Sequence, residues 1–359
     1  MSEPARGASL ASGKLSCQNL WKSYGRAETD VKALLRRGLS HNELTAKLSE
    51  DKKSAALADV SFSIAEGEIF VIMGLSGSGK STLIRCLARL IEPTAGQVLF
   101  DGQDLLAFSR KQLLEVRRHK MGMVFQHFGL MPHLSVLDNV SFALRMRGAD
   151  KKSRFETARQ MIAAVGLEGF EERFPHQLSG GQQQRVGIAR SLAVDPEIWL
   201  LDEPFSALDP LIRREMQDEF LALQRKLQKT IIFVTHDFNE ALRIADRVAI
   251  LRQGQLIQLA APREIVMRPK DSYVAGFTRD APLSRVLTVE AVMDTDSPGP
   301  DAVPVPEDTS VEAAIKLFRG AVADLAVVSP EGRVLGSLKP AGLVRAMADI
   351  EAKRELAQG

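Results

Sequence analysis

A glycine-rich run that ends in lysine and serine is the strongest chemical signal in the chain. Residues 74–81 read Gly-Leu-Ser-Gly-Ser-Gly-Lys-Ser, with four variable residues between Gly74 and Gly79-Lys80-Ser81. Glycines let several backbone N–H groups converge on one anion, at the positive end of the helix that follows. The pattern predicts a loop that binds nucleotide phosphates, with Lys80 on the β- and γ-phosphates and Ser81 on Mg²⁺. The predicted nucleotide-binding residues of this segment are Gly74, Ser76, Gly77, Ser78, Gly79, Lys80, Ser81 and Thr82.

Two adjacent acids follow an apolar run later in the chain. Ile198-Trp199-Leu200-Leu201 leads directly into Asp202 and Glu203. Successive strand side chains point to opposite sides, so the two carboxylates can serve different targets. We expect Asp202 to hold Mg²⁺ and Glu203 to orient and deprotonate an attacking water. Taken alone, the run also fits a strand that enters an acidic turn; downstream of a phosphate loop it favours nucleotide hydrolysis.

A second candidate anion site lies at Ser179-Gly180-Gly181-Gln182, where a predicted helix begins. The Ser179 hydroxyl and the glycine N–H groups would face an anion at the positive end of that helix. The phosphate loop and this segment each occur once, and no internal repeat supplies a second copy.

The elements around these motifs indicate an α/β fold. Glu68–Met73 is predicted as a strand that feeds the loop, and a helix is predicted from Lys80. Apolar strands ending at Phe125, Asp202 and Thr235 alternate with helical stretches 153–165, 182–193 and 211–228. This alternation predicts a mostly parallel sheet. Residues 127–180 lack such a strand and are predicted as an inserted helical subdomain.

Two further segments depart from this alternation. Residues 25–56 have helical spacing, with Gly38 as a predicted stop and Ser40 as a predicted cap. A Pro-rich linker is predicted over 281–299, and residues 288–359 are predicted as a small separate module with helix–strand–strand–helix order.

The whole chain excludes several classes of protein. No stretch approaches eighteen consecutive apolar residues, so no span of a bilayer is predicted. Residues 1–14 are small and polar, so we expect a disordered N-terminus and no secretory signal. Cys17 and Cys86 are far apart and outside any Cys-x-x-Cys pattern, which favours two reduced structural thiols in a cytosolic protein.

The motifs together resemble the ATP-binding subunits of ABC transporters. The resemblance rests on Leu178–Gln182, Asp202-Glu203-Pro204, Ser206-Ala207-Leu208-Asp209 and Val234-Thr235-His236-Asp237, in the expected order. It covers roughly residues 15–280 and implies a P-loop NTPase with an ABC-type RecA-like core and a helical subdomain. It also implies that Gln126 touches Mg²⁺ and couples to membrane subunits, and that His236 is the switch histidine on the γ-phosphate.

The resemblance further implies a homodimer. In that family Ser179 to Gln182 close over ATP held by the opposite subunit, and the resemblance implies that Asp209 is a further nucleotide-binding residue. A head-to-tail dimer would complete two identical sites from single motif copies. Tyr24 resembles the aromatic residue that stacks on adenine, although the insertion at 25–56 follows it directly. Trp21 is the competing candidate.

Further runs are similar to one importer subfamily, which transports glycine betaine, proline betaine or choline. These runs are Gly67–Thr82, Leu90-Ile91-Glu92-Pro93-Thr94, Met131-Pro132-His133, Val136-Leu137-Asp138-Asn139 and Ser206–Arg213, together with the insertion. The resemblance implies a peripheral subunit on the cytoplasmic side of the plasma membrane. Its partners would be integral-membrane permease subunits and, indirectly, an extracytoplasmic binding protein, with no nucleic acid. The residues after Gln126, His127 to Met131, would face the permease or, as the alternative, pack within the helical subdomain.

The module 288–359 is similar to a CBS module. Where nucleotide sites of that family place a Thr and an Asp, this chain has Lys339 and Gly342. A dimerisation or regulatory role is therefore expected in place of nucleotide binding, and an inert remnant is the alternative.

Three alternatives to this function remain open from the sequence. One is the ATPase of an importer for amino acids or other small solutes. Another is an ABC ATPase that acts on DNA, but coiled-coil heptads and cysteine clusters are missing between the loop and Ser179. The third is a translation-associated ATPase, which usually holds two ATPase units in one chain.

Overall fold

The computed structural model describes residues 13–50, 55–125, 129–206, 208–319 and 323–358. The chain forms two compact units, Met1–Leu259 and Ala260–Gly359. The strands of the first unit are β1 (Leu15–Lys22), β2 (Leu57–Ile64), β3 (Ile69–Met73), β4 (Ala95–Phe100), β5 (Gln103–Asp104), β6 (Met121–Val124), β7 (Ile198–Asp202), β8 (Thr230–Val234), β9 (Arg247–Arg252) and β10 (Gln255–Ala260). Its helices are α1 (Arg26–Arg36), α2 (His41–Glu50), α3 (Lys80–Leu87), α4 (Arg110–His119), α5 (Val136–Met146), α6 (Lys151–Ala164), α7 (Gly180–Leu192), α8 (Pro210–Leu227) and α9 (Phe238–Ile244).

A six-stranded sheet with the order β10-β9-β3-β8-β7-β6 carries the predicted motifs. The pairs β3–β8, β3–β9, β7–β8 and β6–β7 are parallel. Strands β3, β7 and β8 are buried along their whole length, as expected for a sheet covered on both faces. Because parallel strands end at one edge, the segments that follow β3, β7 and β8 meet there. The predicted α/β class is confirmed.

A second sheet of four strands, in the order β2-β1-β4-β5, is antiparallel. Strands β4 and β5 were not predicted from the sequence. The reason lies in the sequence of β4, Ala-Gly-Gln-Val-Leu-Phe, which has only two fully buried positions and therefore little alternation. The strand is specified by its long-range pairing with β1.

The main core lies among the two sheets and α3. Most of its members come from β1, β2, β3, β4, α3, β7, β8 and β9, and Phe62 stacks on Phe70 with 4.8 Å between ring centroids. A second aromatic group, Trp199, Phe205, Phe220 and Phe233, fills the space between the sheet and α8. Burying a large apolar side chain contributes about 1.5–3 kcal/mol, so these groups hold the strand ends rigidly in place.

The segment 25–56 forms two helices, α1 and α2, within its described part. Gly38 has a left-handed φ of 79° after α1, and Ser40 and Glu43 form reciprocal side-chain-to-backbone bonds at the start of α2. The predicted stop and cap are therefore confirmed. The apolar faces of both helices pack on fully buried Trp21.

The predicted helical stretch between the Gln126 region and Ser179 consists of α5 and α6, which pack on each other and on α7. Strands are missing from the described residues 129–180, as predicted. Among the residues that the structure describes, no helix has both the length and the apolarity required to cross a membrane.

The second unit contains a three-stranded sheet and five helices in its described part. The elements are α10 (Pro262–Met267), α11 (Ser272–Thr278), α12 (Leu283–Val286), β11 (Val303–Pro306), α13 (Val311–Arg319), β12 (Leu325–Val328), β13 (Val334–Leu338) and α14 (Pro340–Gln358). The sheet order is β11-β12-β13, with β11–β12 parallel and β12–β13 antiparallel. The helix–strand–strand–helix order predicted for the tail is present.

The boundary between the two units differs from the predicted one. The predicted first domain ends at residue 280, whereas residues from Ala260 onward belong to the second unit. The physical reason is packing: α10 contacts α12, and α12 contacts α13 and α14. The helices over 262–278 are therefore part of the second unit's core.

Candidate functional site

The glycine-rich loop joins the buried strand β3 to α3. Gly79 has φ 106°, and a Cβ built on it would lie 2.4 Å from the carbonyl oxygen of Ala56. No larger residue fits there without moving the backbone. The loop lines a cavity of about 590 Å³, within the usual range for small-molecule sites. Its lining residues are Ala56, Leu75, Ser76, Gly77, Gly79, Lys80, Ser81, Thr82, Glu203 and His236.

Lys80 is the buried cation of this cavity. Its ammonium donates to the carbonyl oxygens of Gly74 at 2.9 Å and Leu75 at 3.2 Å. Glu203 Oε1 lies 3.7 Å from Nζ. Burial lowers the pKa of Lys80, and the carboxylates of Glu203 and Asp202 oppose that shift. A buried ammonium that bonds mainly loop carbonyls is well suited to an incoming polyanion.

Asp202, at the end of β7, is 1% exposed. Its Oδ1 accepts the Ser81 hydroxyl at 3.0 Å. Burial raises the pKa of Asp202, and the Ser81 bond and the Arg85 guanidinium act in the opposite direction. The Ser81 hydroxyl and the Asp202 carboxylate thus lie in contact, although the two residues are about 120 positions apart in the chain.

Glu203 follows Asp202 in a left-handed conformation, with φ 48°. A non-glycine residue in this region is strained by about 1–2 kcal/mol. The backbone N–H of Glu203 donates to Val234 O at 3.1 Å, and the Ser206 hydroxyl donates to Glu203 O at 3.0 Å. These bonds turn the side chain toward the cavity, while Asp202 stays beneath it.

His236 follows β8, next to β7 and β3. Its Nδ1 lies 3.2 Å from Glu203 Oε2, and its side chain is 57% exposed. The imidazole therefore lines the cavity next to Glu203, and it remains accessible to a ligand.

The Ser179 segment caps α7. Ser179 Oγ accepts the N–H of Gln182 at 3.3 Å, and the Ser179 N–H donates to Gln182 Oε1 at 3.0 Å. Ser179 and Gly180 are exposed, and Gly181 and Gln182 are half-buried. Asp209 caps α8 by accepting the N–H groups of Leu211 and Ile212.

One molecule does not bring all predicted residues together. Among the described residues that line the cavity, neither the Ser179 segment nor Asp209 nor Tyr24 appears. Gly74 and Ser78 belong to the loop but are also missing from that lining. The predicted Gln126, together with His127 and Phe128, lies outside the described residues.

The two aromatic candidates near the insertion have different environments. Trp21 is fully buried under α1 and α2, so it cannot stack on a ligand. Tyr24 is 53% exposed, and the Lys22 ammonium lies 4.8 Å from its ring centroid. Lys22 is itself paired with Glu28 of α1 at 3.8 Å. Tyr24 remains the predicted stacking residue.

Arg85 is a site residue that the sequence analysis missed. Its Nη2 lies 3.6 Å from Asp202 Oδ2. Arg85 stands four residues after Ser81 on α3, and residues at that spacing share a helix face. The spacing of four residues from Ser81 could therefore have indicated that Arg85 lies at the site.

The chain is similar to known proteins over most of its length. Residues 57–206 match the family described as ABC transporter. The chain is 50% identical over 333 residues to the trimethylamine N-oxide transport system ATP-binding protein TmoW of Ruegeria pomeroyi, covering 93% of this chain and 96% of that protein. It is 49% identical over 279 residues to the glycine betaine/proline betaine transport system ATP-binding protein ProV of Escherichia coli, covering 78% and 69%.

A solved structure agrees in fold. The ATP-binding cassette MJ0796, a dimer in a post-hydrolysis state bound to ADP and phosphate, superimposes with a TM-score of 0.58 at 34% identity. The match covers 69% of this chain and 98% of that one.

Proposed function

Because the chain belongs to the ABC transporter family of ATP-binding proteins, we propose that it is the ATP-hydrolysing subunit of an importer for quaternary-ammonium or related osmolytes. The observation that carries the hydrolytic part is the grouping of Lys80, Glu203 and His236 around one cavity. A phosphate-binding cation, a base and a switch residue are the groups that phosphoryl transfer to water requires.

The residues divide the chemistry among them. Lys80 exchanges its bonds with the loop carbonyls for the β- and γ-phosphates of ATP. Glu203 accepts the proton of the water that attacks the γ-phosphorus, while the bond from that phosphorus to the bridging oxygen breaks and ADP leaves. The left-handed backbone of Glu203 and its contact with His236 hold the carboxylate at the cavity. His236 then stabilises charge on the γ-phosphate, together with Ser179 of the opposite copy.

Ser81 and Asp202 fit a Mg²⁺ site, because a buried carboxylate and a hydroxyl already lie 3.0 Å apart next to the phosphate loop. Groups of three or more His, Cys, Asp or Glu that could hold a metal are missing from the described residues. Mg²⁺ does not require one, since it combines one or two protein oxygens with phosphates and water. The ion would neutralise phosphate charge; Gln126 would be a further ligand.

We infer a homodimer from the separation of the motifs. Ser179 and Asp209 are exposed and away from the cavity of their own chain. A head-to-tail copy would bring its Ser179 N-cap and glycine N–H groups over this cavity. The dimeric state of the cassette MJ0796 supports this arrangement.

An apolar groove next to the Gln126 region is the proposed contact with the permease. The groove has a volume of about 380 Å³ and includes Phe125, Met131, Phe142 and Met146 in its lining. Phe125 and Met146 are 39% and 50% exposed. Exposed apolar and Met-rich surfaces are typical of protein–protein contacts. The subunit would therefore lie on the cytoplasmic face of the membrane.

The transported solute is proposed from the relatives, because the chain itself would hold no solute site. Glycine betaine, proline betaine and choline are one candidate set. Trimethylamine N-oxide is the second, and one observation favours it: the match to TmoW includes most of the second unit, whereas the match to ProV covers 78% of this chain. All of these solutes carry a methylated nitrogen.

We propose a regulatory or dimerisation role for the second unit. The residue type at Gly342 supports this over nucleotide binding, because glycine has no side chain to bind a ribose, and a Cβ there would lie 2.6 Å from Asp294 Oδ2. A truncation after Leu259 removes this unit whole. It should leave basal ATP hydrolysis intact and change the salt response of transport; if neither property changes, the unit is an inert remnant.

The test of the proposed function is ATP-driven uptake. Membrane vesicles that contain this chain, the cognate permease and the binding protein should accumulate labelled trimethylamine N-oxide or glycine betaine with ATP inside. Vesicles with Lys80→Ala should not. Uptake of an amino acid, and of neither methylated amine, would contradict the proposed substrate class while leaving ATP hydrolysis unaffected.

A further inference from the structure

Helix α8 directs two side chains toward the segment that carries His236. Arg213 and Gln217 are four residues apart and share a face of the helix. Arg213 Nη1 lies 3.7 Å from Asp237 Oδ2, and the Gln217 amide donates to Glu240 Oε1 at 2.9 Å. Asp237 directly follows His236. Contacts along one face of α8 therefore hold the start of α9.

Arg213 also contacts the loop that precedes its own helix. Its Nη2 donates to the carbonyl oxygen of Leu208 at 3.1 Å. Leu208 comes directly before Asp209, in the segment expected to meet the second copy. A single planar guanidinium thus joins the backbone of this loop to the carboxylate next to His236, and a point-charge ammonium cannot reproduce such a fork.

The neighbouring groups leave Asp237 as the acceptor for Arg213. Glu240, the other carboxylate nearby, is buried and already accepts from Gln217. Gln217 is in turn fixed by Arg243, whose Nη1 donates to Gln217 Oε1 at 3.1 Å. Asp237 Oδ1 caps α9, but its Oδ2 faces the guanidinium.

The contact between Arg213 and Asp237 has room to shorten. Charge-assisted N–H···O bonds are about 2.7–2.9 Å long, and this pair is 3.7 Å apart. Among the described residues, the buried Nε of Arg213 has no hydrogen-bond partner, which is unfavourable for a charged group. A cavity of about 10 Å³ lies between Arg213, His236 and Glu203. The 3.7 Å contact can therefore shorten by about 1 Å before it reaches the length of an ordinary charge-assisted bond.

We propose that Arg213 is a positioning residue for hydrolysis: it ties the placement of His236 to that of Leu208 and Asp209, directly before α8. The inference rests on the proposed ATP hydrolysis. When a second copy meets Asp209, displacement of Leu208 moves the guanidinium, and the guanidinium moves Asp237 and with it the imidazole. His236 is then placed for hydrolysis only when the second copy has displaced Leu208 and Asp209.

Steady-state ATP hydrolysis by the full-length chain tests the positioning role. The test variants are Arg213→Met and Arg213→Lys, and the control is Arg214→Met, at the neighbouring exposed residue. Arg213→Met should lower kcat about tenfold, as small displacements of catalytic groups do, with KM for ATP within about twofold of wild type. The kcat of Arg213→Lys should fall between those of wild type and Arg213→Met. Arg214→Met should match wild type.

A second measurement separates positioning from folding. In a His236→Ala background, Arg213→Met should cause no further loss, because its effect passes through the imidazole. If Arg213→Met fails to fold, Asp237→Asn, which keeps the capping oxygen, tests the same link.

The outcomes are distinguishable. Equal losses in both backgrounds, or wild-type kcat in Arg213→Met, would overturn the positioning role while the proposed function stands. A chain without ATP hydrolysis, or with full activity in His236→Ala, would overturn the proposed function and this inference with it.

Discussion

Glu203 Oε2 and His236 Nδ1 lie 3.2 Å apart, although the two residues follow different strands and the whole of α8 separates them in the chain. The contact exists because β7 and β8 are parallel neighbours that end at one edge of the sheet, with Asp202 in register with Val234. The loop after β3, which pairs with β8, completes the group. The sheet order thus assembles the hydrolytic residues.

Replacing the proposed base tests this assembly directly. Glu203→Gln keeps the shape of the side chain but cannot accept the proton of water. We expect turnover to fall by about 10²–10⁴-fold, while ATP binding persists and the dimer remains closed. Turnover is measured by phosphate release, and closure by size-exclusion chromatography with ATP. Unchanged turnover would contradict the role of Glu203 as the base.

Two glycines of the phosphate loop form a matched pair for stability. Both have positive φ, 106° at Gly79 and 78° at Gly77, but only a Cβ at Gly79 would collide with a backbone atom, Ala56 O at 2.4 Å. Gly79→Ala should lower the free energy of unfolding by about 2–4 kcal/mol and Gly77→Ala by about 1 kcal/mol. Urea unfolding measures both values. Equal losses of unfolding free energy in the two variants would show that strain in φ alone sets the cost, and that the contact with Ala56 O adds nothing to it.

The local motifs could be predicted from the sequence because their residues are close in the chain. The strand, loop and helix around Lys80 follow from one continuous run, and so do the acids after β7. The contacts of Arg213 and Arg85 could not be predicted from the sequence, because each depends on which helix faces which strand end in the folded chain. The burial of Trp21 depends on how α1 and α2 fold back, and β4 is specified by its pairing with β1.

The aromatic residues before the insertion have separable roles. Trp21→Ala should lower the free energy of unfolding by about 3–5 kcal/mol, because it empties a buried site. Tyr24→Ala should leave stability within about 0.5 kcal/mol and weaken ATP binding by about 1–3 kcal/mol, the worth of one stacked base. Fluorescence titration with a labelled ATP analogue measures the affinity. An unaltered affinity in Tyr24→Ala would exclude Tyr24 as the stacking residue.

Asp202 should make stability depend on pH. Burial raises its pKa above the ordinary value of 3.8, so the folded chain binds this proton more readily than the unfolded chain. This contribution favours folding at low pH and is lost as pH rises through the raised pKa. Asp202→Asn should therefore raise the free energy of unfolding near pH 7, by about 0.5–2 kcal/mol, while Mg²⁺-dependent hydrolysis is lost.

The gain from Asp202→Asn should shrink as pH falls toward 3.8, because the wild-type carboxyl is then protonated as well. Thermal unfolding of both proteins across this range measures the difference. A gain that stays constant with pH would show that the substitution acts through packing and not through the buried charge.

Met146, on the rim of the apolar groove, tests the proposed contact with the permease. Met146→Glu places a charge on a side chain that is 50% exposed, so the isolated chain should keep its stability and its ATP hydrolysis. Association with the permease should weaken, because a charge would have to be buried in an apolar contact. Co-purification from detergent-solubilised membranes measures it. The control is Leu114→Glu, a similarly exposed residue at 43% that lies outside the groove lining; if both substitutions release the permease equally, the groove is not the specific contact.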